Sequence, residues 1–324
     1  MKNKIWLKNK ISQIKVEIAV STALIALMTV FIIAKPTVFL DYRVYIAVFT
    51  SLPILIILSA SLVFVIASGE IDLSFPSTVG MGGWFFAMVA ATGVNQIFGL
   101  FAALAIGAFV GFINGIIITK LKLSSLVSTL GMLFLLRGLI NIVVKTKQIS
   151  LLNLKDSLFF KIFVYRIKDI FPIQMLWAIV IAIILWILFY RHRFGGYTMY
   201  VGDNSMSAKE TGINVDWVKI GAFILLGTFA GFCGALSILI NAYFWPTAGD
   251  GYMLIVLAAV FLGGTPTWGG KGTIFGAVIG ATMMGFIETG IIGIGLTGYY
   301  TQFFYGLIII LALIGHRFAG LKKK

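Results

Sequence analysis

The chain is predicted to be an all-α integral membrane protein of about ten transmembrane helices, and three observations carry that prediction. Hydrophobic residues fill 60% of the 324 positions and charged residues only 11%, against about 25% charged in a soluble domain. The mean hydropathy is +1.04. The apolar runs approach the length of a bilayer-crossing helix, about 20 residues, and they are apolar on every face. That excludes a membrane barrel, whose strands alternate apolar and polar positions. One cysteine, Cys233, excludes an intrachain disulfide framework. The net charge of +14 does not imply nucleic-acid binding, because the basic residues lie at the termini and between apolar runs, as topology signals do.

The elements follow in order within a single polytopic domain, 1–324. Lys2, Lys4, Lys8, Lys10 and Lys15 precede an apolar run at 17–34. No small-x-small cleavage pattern follows it, so it reads as a retained first span behind a basic terminus at 1–16. Further spans are expected at 44–67, 76–92, 97–118 and 124–144. After a long connector at 145–172 come 173–190, 219–240, 252–264, 273–292 and 298–315, and then a basic tail at 316–324. The third span is irregular, opening at Pro76 and carrying Gly80, Gly82 and Gly83. The eighth is short enough to be a half-helix or a re-entrant segment. Ser68–Ser74 reads as a short loop with Ser74 capping the next helix, and Pro246–Gly251 as a similar turn on the opposite side. In the long connector, Leu151, Leu154, Leu158, Phe159 and Ile162 recur at helical spacing beside Lys155, Lys161 and Lys168. It is either an amphipathic helix lying on the outer surface or a solvated connector.

Ten spans put both termini on one side, and charge selects the cytoplasm. Sixteen of the 25 basic residues then fall inside and eight outside, six of those eight in the single connector 145–172. Cytoplasmic loops carry the excess of Lys and Arg, and long loops count for less. Arg137 lies within span five. An internal duplication is also visible: Phe101–Asn114 aligned on Phe275–Glu288 matches at five of fourteen positions. The two segments lie five spans apart and run in opposite directions, as an inverted 5 + 5 repeat requires. Asn114 and Glu288 then occupy corresponding places.

The polar loop 191–218 faces the cytoplasm on this topology. It holds Asp203, Glu210 and Asp216, three of only eleven acids in the chain. Ser205–Glu210 and Asn214–Val218 read as short helical pieces, with Gly202 and Gly212 as breaks. An ordered, polar, mixed-charge surface on a membrane protein is suited to a soluble partner. Gly263–Thr273 looks superficially like a phosphate-binding loop, but Lys271 is followed by Gly272 where a hydroxyl is needed, and no strand precedes it. It reads as a tight turn. There is no HExxH, CxxC or nucleophile elbow, so neither catalytic nor metal-binding residues are expected. His192 and His316 mark span ends. The rows Gly107/Gly111/Gly115, Gly227/Gly231/Ala235 and Gly276/Gly280 are read first as helix-packing surfaces. A carboxylate within a span costs about 2.5–3.5 kcal/mol and turns to protein or a wet cavity. Glu288 is therefore either a hydrogen-bond acceptor on the substrate path, together with Asn114 and Arg137, or a structural acid with Arg137 as a conceivable partner.

Five segments taken together resemble one family, the permease subunits of ribose/xylose/galactose-type ABC importers. They are GEIDLS (69–74), STLGMLFLLRGL (128–139), YVGDNSMSAKETGINVDWVKI (200–220), PTAGDGYMLIVLAAVFLGGTPTWGGKGTIFGAVIGA (246–281) and YYTQFFYGLIIILA (299–312), and they run in the family's order. The resemblance implies a multi-pass permease of a bacterial inner membrane that works as a pair, with a second copy or a paralogue. It implies a cytoplasmic ATP-binding subunit, which holds the ATP and magnesium, and an extracytoplasmic sugar-binding protein. No cofactor is expected on this chain. Gly202, Asp203, Asn204, Ala208, Glu210, Thr211 and Gly212 align with the family's coupling motif and would dock on the ATPase. The sequence departs from the family's usual glycine at Asp203 and Glu70, and from alanine at Ser207. A secondary carrier driven by protons or sodium through Glu288 is the alternative, and an integral-membrane enzyme or scaffold has no catalytic constellation behind it.

Overall fold

The computed structural model describes residues 2–145, 147–168 and 170–321, and the side chains of 17–315 and Arg317 within them. The lysines before the first span and those at 322–324 lie outside the described side chains. All ten expected spans are helical: α1 (Lys2–Ala34), α3 (Tyr42–Ala67), α4 (Phe75–Ala91), α5 (Gln96–Thr119), α6 (Ser125–Val144), α8 (Gln174–Tyr190), α11 (Val215–Asn241), α12 (Tyr252–Leu262), α13 (Ile274–Gly293) and α14 (Tyr299–Leu321). Among the described residues, six of these are long and apolar enough to cross a membrane by themselves, and α4, α12 and the apolar part of α14 are shorter. The remaining helices are α2 (Pro36–Phe39), α7 (Leu158–Val164), α9 (Arg193–Asp203) and α10 (Ser205–Glu210). Helix α9 leaves α8 at a 63° bend.

Polar side chains fix where the apolar runs become helices. Asp41, Asn95 and Thr273 accept hydrogen bonds from the first-turn amides of α3, α5 and α13, satisfying donors that have no partner within the helix. Ser74 departs from its expected role. It stands at the start of α4 but makes no cap, because its hydroxyl is engaged with Asp72 and Asn114.

Helix α3 runs through the centre, buried along most of its length from Leu52 to Ala67. The glycine rows pack as expected. A Cβ at Gly107 or Gly111 would run into the carbonyl oxygens of Gly227 and Phe223, so α5 and α11 meet backbone to backbone. Gly276 and Gly280 similarly meet Gly263 and Ala259. Such close approach replaces the hydrophobic drive, which lipid does not supply. Helix α5 packs on α11 and α4, and five spans later α13 packs on α3 and α12. The pairs α4–α6 and α12–α14 correspond in the same way. These pairings are the ones a 5 + 5 repeat expects, although α1 packs on α13 with no comparable contact between α8 and α5.

The loops gather at two ends. At one end lie 68–74, 120–124, 191–214 and 263–273. There Gly270 N donates to Ala67 O (2.9 Å), Tyr190 Oη to Gly272 O (3.3 Å), and Lys120 pairs with Asp216 (2.6 Å). At the other end the connector 145–172 folds back over the bundle. Its strand β1 (Ile149–Ser150) pairs with β4 (Tyr243–Phe244), and β2 (Arg166–Ile167) pairs with β3 (Phe171–Pro172). Only 158–164 forms an α-helix, and Phe163 stacks on Trp177 at 5.1 Å and meets Phe232 edge-on. Leu151 and Leu154 are buried. The connector is thus neither one amphipathic helix nor a fully solvated link: Leu151, Leu154 and Phe163 are covered by protein, whereas Leu158 and Ile162 stay exposed.

Candidate functional site

The 191–214 segment is a folded unit. His192 Nδ1 accepts from Phe194 N (3.2 Å) and starts α9. Gly202 is not the expected break: it lies in the last turn of α9, where a Cβ would run into Ala67 O. The chain breaks at Asn204, whose Oδ1 accepts from Met206 N (3.1 Å) and Ser207 N (3.0 Å) and so starts α10. Thr211 Oγ1 donates to Ala208 O (2.8 Å). Gly212 turns the chain at φ +85, a left-handed conformation that glycine adopts without Cβ strain. Asn214 then caps α11, of which the expected 214–218 piece is merely the first turn. Val201, Ala208 and Val218 form a small apolar cluster with Ile213 and Val215.

That cluster holds the outer face of the unit in one shape. Asp203, Asn204 and Glu210 are exposed, as are Tyr200, Met206 and Trp217. A cleft of about 330 Å³ opens among Tyr200, Asp203, Asn204, Ser207, Ala208, Thr211 and Ile213. The unit is fastened to the bundle by Lys219, which pairs with Glu70 at 2.6 Å with both side chains largely buried.

The three residues expected on the path do not come together. Asn114 is buried in α5 and donates to Ser74 Oγ (2.8 Å). Arg137 binds Asp250 and the carbonyls of Pro246 and Ala248, so Asp250 takes the place suggested for Glu288. Glu288 is exposed on α13 and accepts from Tyr305 Oη (3.3 Å). A second cleft, about 420 Å³, opens beside the start of α14 among Leu296, Tyr299, Tyr300, Phe303 and Phe304.

Comparison with known proteins adds the chemistry's context. The family described as "Branched-chain amino acid transport system / permease component" matches residues 44–313. The chain belongs to this permease family. It is similar to the ribose import permease protein RbsC of Escherichia coli (strain K12), 31% identical over 258 residues covering 80% of each chain. Similarity to the RbsC of Bacillus subtilis (strain 168) is 30% over 260 residues, again 80% of each. The autoinducer 2 import system permease protein LsrC of Yersinia pseudotuberculosis serotype O:3 (strain YPIII) is 29% identical over 300 residues, 90% of this chain and 83% of its own. No solved structure matches. As a permease component of an ABC importer the chain is not an enzyme, and ATP hydrolysis belongs to a separate subunit. The permease is a multi-pass protein of the inner membrane.

One residue of the permease escaped the sequence reading. Asp72 is buried, and its Oδ1 accepts from Ser74 N and Ser74 Oγ, both at 2.6 Å. Burial pushes this linker carboxyl above the usual carboxylate range, against the opposing pull of the Ser74 and Asn114 hydrogen bonds. The available signal was its setting between Ile71 and Leu73 in a linker too short to leave the protein. Among the described residues no cluster of three or more His, Cys, Asp or Glu side chains is arranged to hold a metal.

Proposed function

We propose that the permease carries a simple sugar of the kind named for its relatives, ribose or the autoinducer-2 signal, into the cell. On this reading it is paired with a second copy or paralogue, driven by an ATPase docked on 191–214, and supplied by a sugar-binding protein at the opposite end. The observation that carries the proposal is the α9–α10 unit. It has its own apolar cluster, its own caps and an exposed acidic and aromatic face, the features of a preformed docking surface. ATP and magnesium stay in the partner. Closure of the ATPase would move α10, and the firmly seated Gly202 and Lys219 would pass that motion to the bundle. The charge bias supports placing this end, with both termini, in the cytoplasm. The relatives favour a sugar over a branched-chain amino acid. The family match favours this importer over an ion-driven carrier working through Glu288, and Arg137, held by Asp250, is not the partner of a structural Glu288.

The test is ATPase activity in proteoliposomes containing the permease, its co-purifying ATPase and its binding protein. Stimulation by binding protein loaded with ribose or autoinducer 2, and not by empty protein, is the expected result. Uptake by the permease alone down an ion gradient would overturn the reading.

A further inference from the structure

Helices α4 and α12 are short, 17 and 11 residues, and each follows a non-helical lead-in, 68–74 or 245–251. Backbone amides and carbonyls outside a helix need partners supplied from elsewhere in the protein. One helix supplies many of them at both ends. On α6, Ser125 Oγ accepts from Ile71 N (3.3 Å) and Thr129 Oγ1 from Leu73 N (3.0 Å). Leu133 O accepts from Ser77 Oγ (2.9 Å), in the first turn of α4. Arg137 then reaches the other lead-in, donating to Pro246 O and Ala248 O and pairing with Asp250. Positions 125, 129, 133 and 137 recur every fourth residue, so they form one stripe along α6. Twelve residues of helix span about 18 Å. The opposite face of α6 is exposed, with Val127, Phe134, Leu135 and Ile142 all more than 60% accessible. Within the bundle α6 is packed mainly on α4 and α5.

The inner lead-in is also joined to the docking unit. Gly202 lies directly against Ala67 O, and Gly69 lies against both Gly202 and Gly269. Glu70 is tied to Lys219. A displacement of α9 therefore pushes on 68–74 by backbone contact, with no flexible side chain between to absorb it.

We propose that α6 is a strut that transmits movement of the docking unit at one end of the permease to the α12 lead-in at the other, with Thr129 and Arg137 as its positioning residues. The inference rests on the importer reading above. Neither residue touches substrate on this account; each fixes a lead-in to the same rigid helix.

The experiment uses the permease–ATPase complex carrying Thr247→Cys, at an exposed position in the outer lead-in. Native Cys233 is fully buried and does not compete for label. Labelling by a hydrophilic maleimide is timed with and without ATP plus vanadate. Trapping is expected to change the rate at 247 by at least about fivefold, the lower range of measured site–site coupling. In Arg137→Gln or Thr129→Val the change should fall below about twofold, while the ATPase still co-purifies and hydrolyses ATP. Thr129→Ser, which keeps the hydroxyl, should retain the full response. A response that survives in both Arg137→Gln and Thr129→Val overturns the strut, as does the absence of any response in the otherwise native complex. If Arg137→Gln does not fold, the Val/Ser contrast at Thr129 decides alone, since it reads the far end of α6. Failure of any ATPase to co-purify would instead sink the importer reading, and the two failures separate at the purification step.

Discussion

Gly202 and Gly196 sit on the same short helix and illustrate how differently one residue type is used. A Cβ at Gly202 would run into Ala67 O and Gly270 N, whereas one at Gly196 meets nothing within 4 Å. Gly202→Ala is expected to cost about 1–3 kcal/mol by overpacking against backbone that cannot rotate away. Gly196→Ala should be neutral or gain about 0.5–1 kcal/mol of helix propensity. Thermal unfolding of the two variants in detergent checks the contrast. Asp72 gives a pH prediction at the same scale. Its folded pKa lies above its unfolded one, so the stability it contributes is present below the ordinary carboxylate pKa. It is lost as pH rises through the raised value. Asp72→Asn should flatten that part of a melting-temperature profile, whereas an equally pH-dependent Asn variant would remove Asp72 as the cause.

At the scale of elements, α10 is six residues long, far below the length at which a helix persists unaided. It stands because Asn204 accepts two of its free amides and Ala208 is buried. Asn204→Ala is expected to cost about 0.5–2 kcal/mol locally and to lower ATPase co-purification while insertion stays normal. Glu210 lies on the exposed face of the same helix. Glu210→Lys should leave folding intact yet weaken docking at least tenfold, since opposing like charges across an interface cost several kcal/mol. Undiminished co-purification with full transport would remove Glu210 from the docking surface. Ser205–Glu210 was legible from the sequence through Gly212, which does turn the chain after it, whereas Asn204 before it was not singled out as its cap. The extension of α9 through Gly202 was not, because glycine there answers to the neighbouring Ala67 carbonyl and not to a local turn.

Over the whole molecule, the core is a continuous apolar body around α3 and α11 that includes the fully buried Cys233. A hydrophilic maleimide should leave the native protein unlabelled and react fully after denaturation in detergent. Labelling of the native protein would contradict the packing of α11 against α3 and α4. The two ends differ in construction. One presents the preformed α9–α10 unit, and the other is covered by the folded-back connector, whose Phe159 and Phe163 stack on Phe86 and Trp177. A solvated connector could not have been distinguished from this cover by periodicity alone, since Phe159 and Phe163 meet Phe86 and Phe232 on helices far away in sequence.

The sequence by itself determined the class of protein, the ten helices, the close-packing glycine faces and the segment that presents a polar surface. Each is a local property: apolar length, a repeat of small residues, or a cluster of charges can be read along one dimension. The tertiary structure alone decided which polar groups meet. Arg137 is bound to Asp250 instead of Glu288, Asn114 to Ser74, and Glu70 to Lys219. Such partners are chosen by which helix ends lie together and by the need of every buried charge and exposed backbone group for a nearby counterpart, and that proximity exists only once the helices have packed.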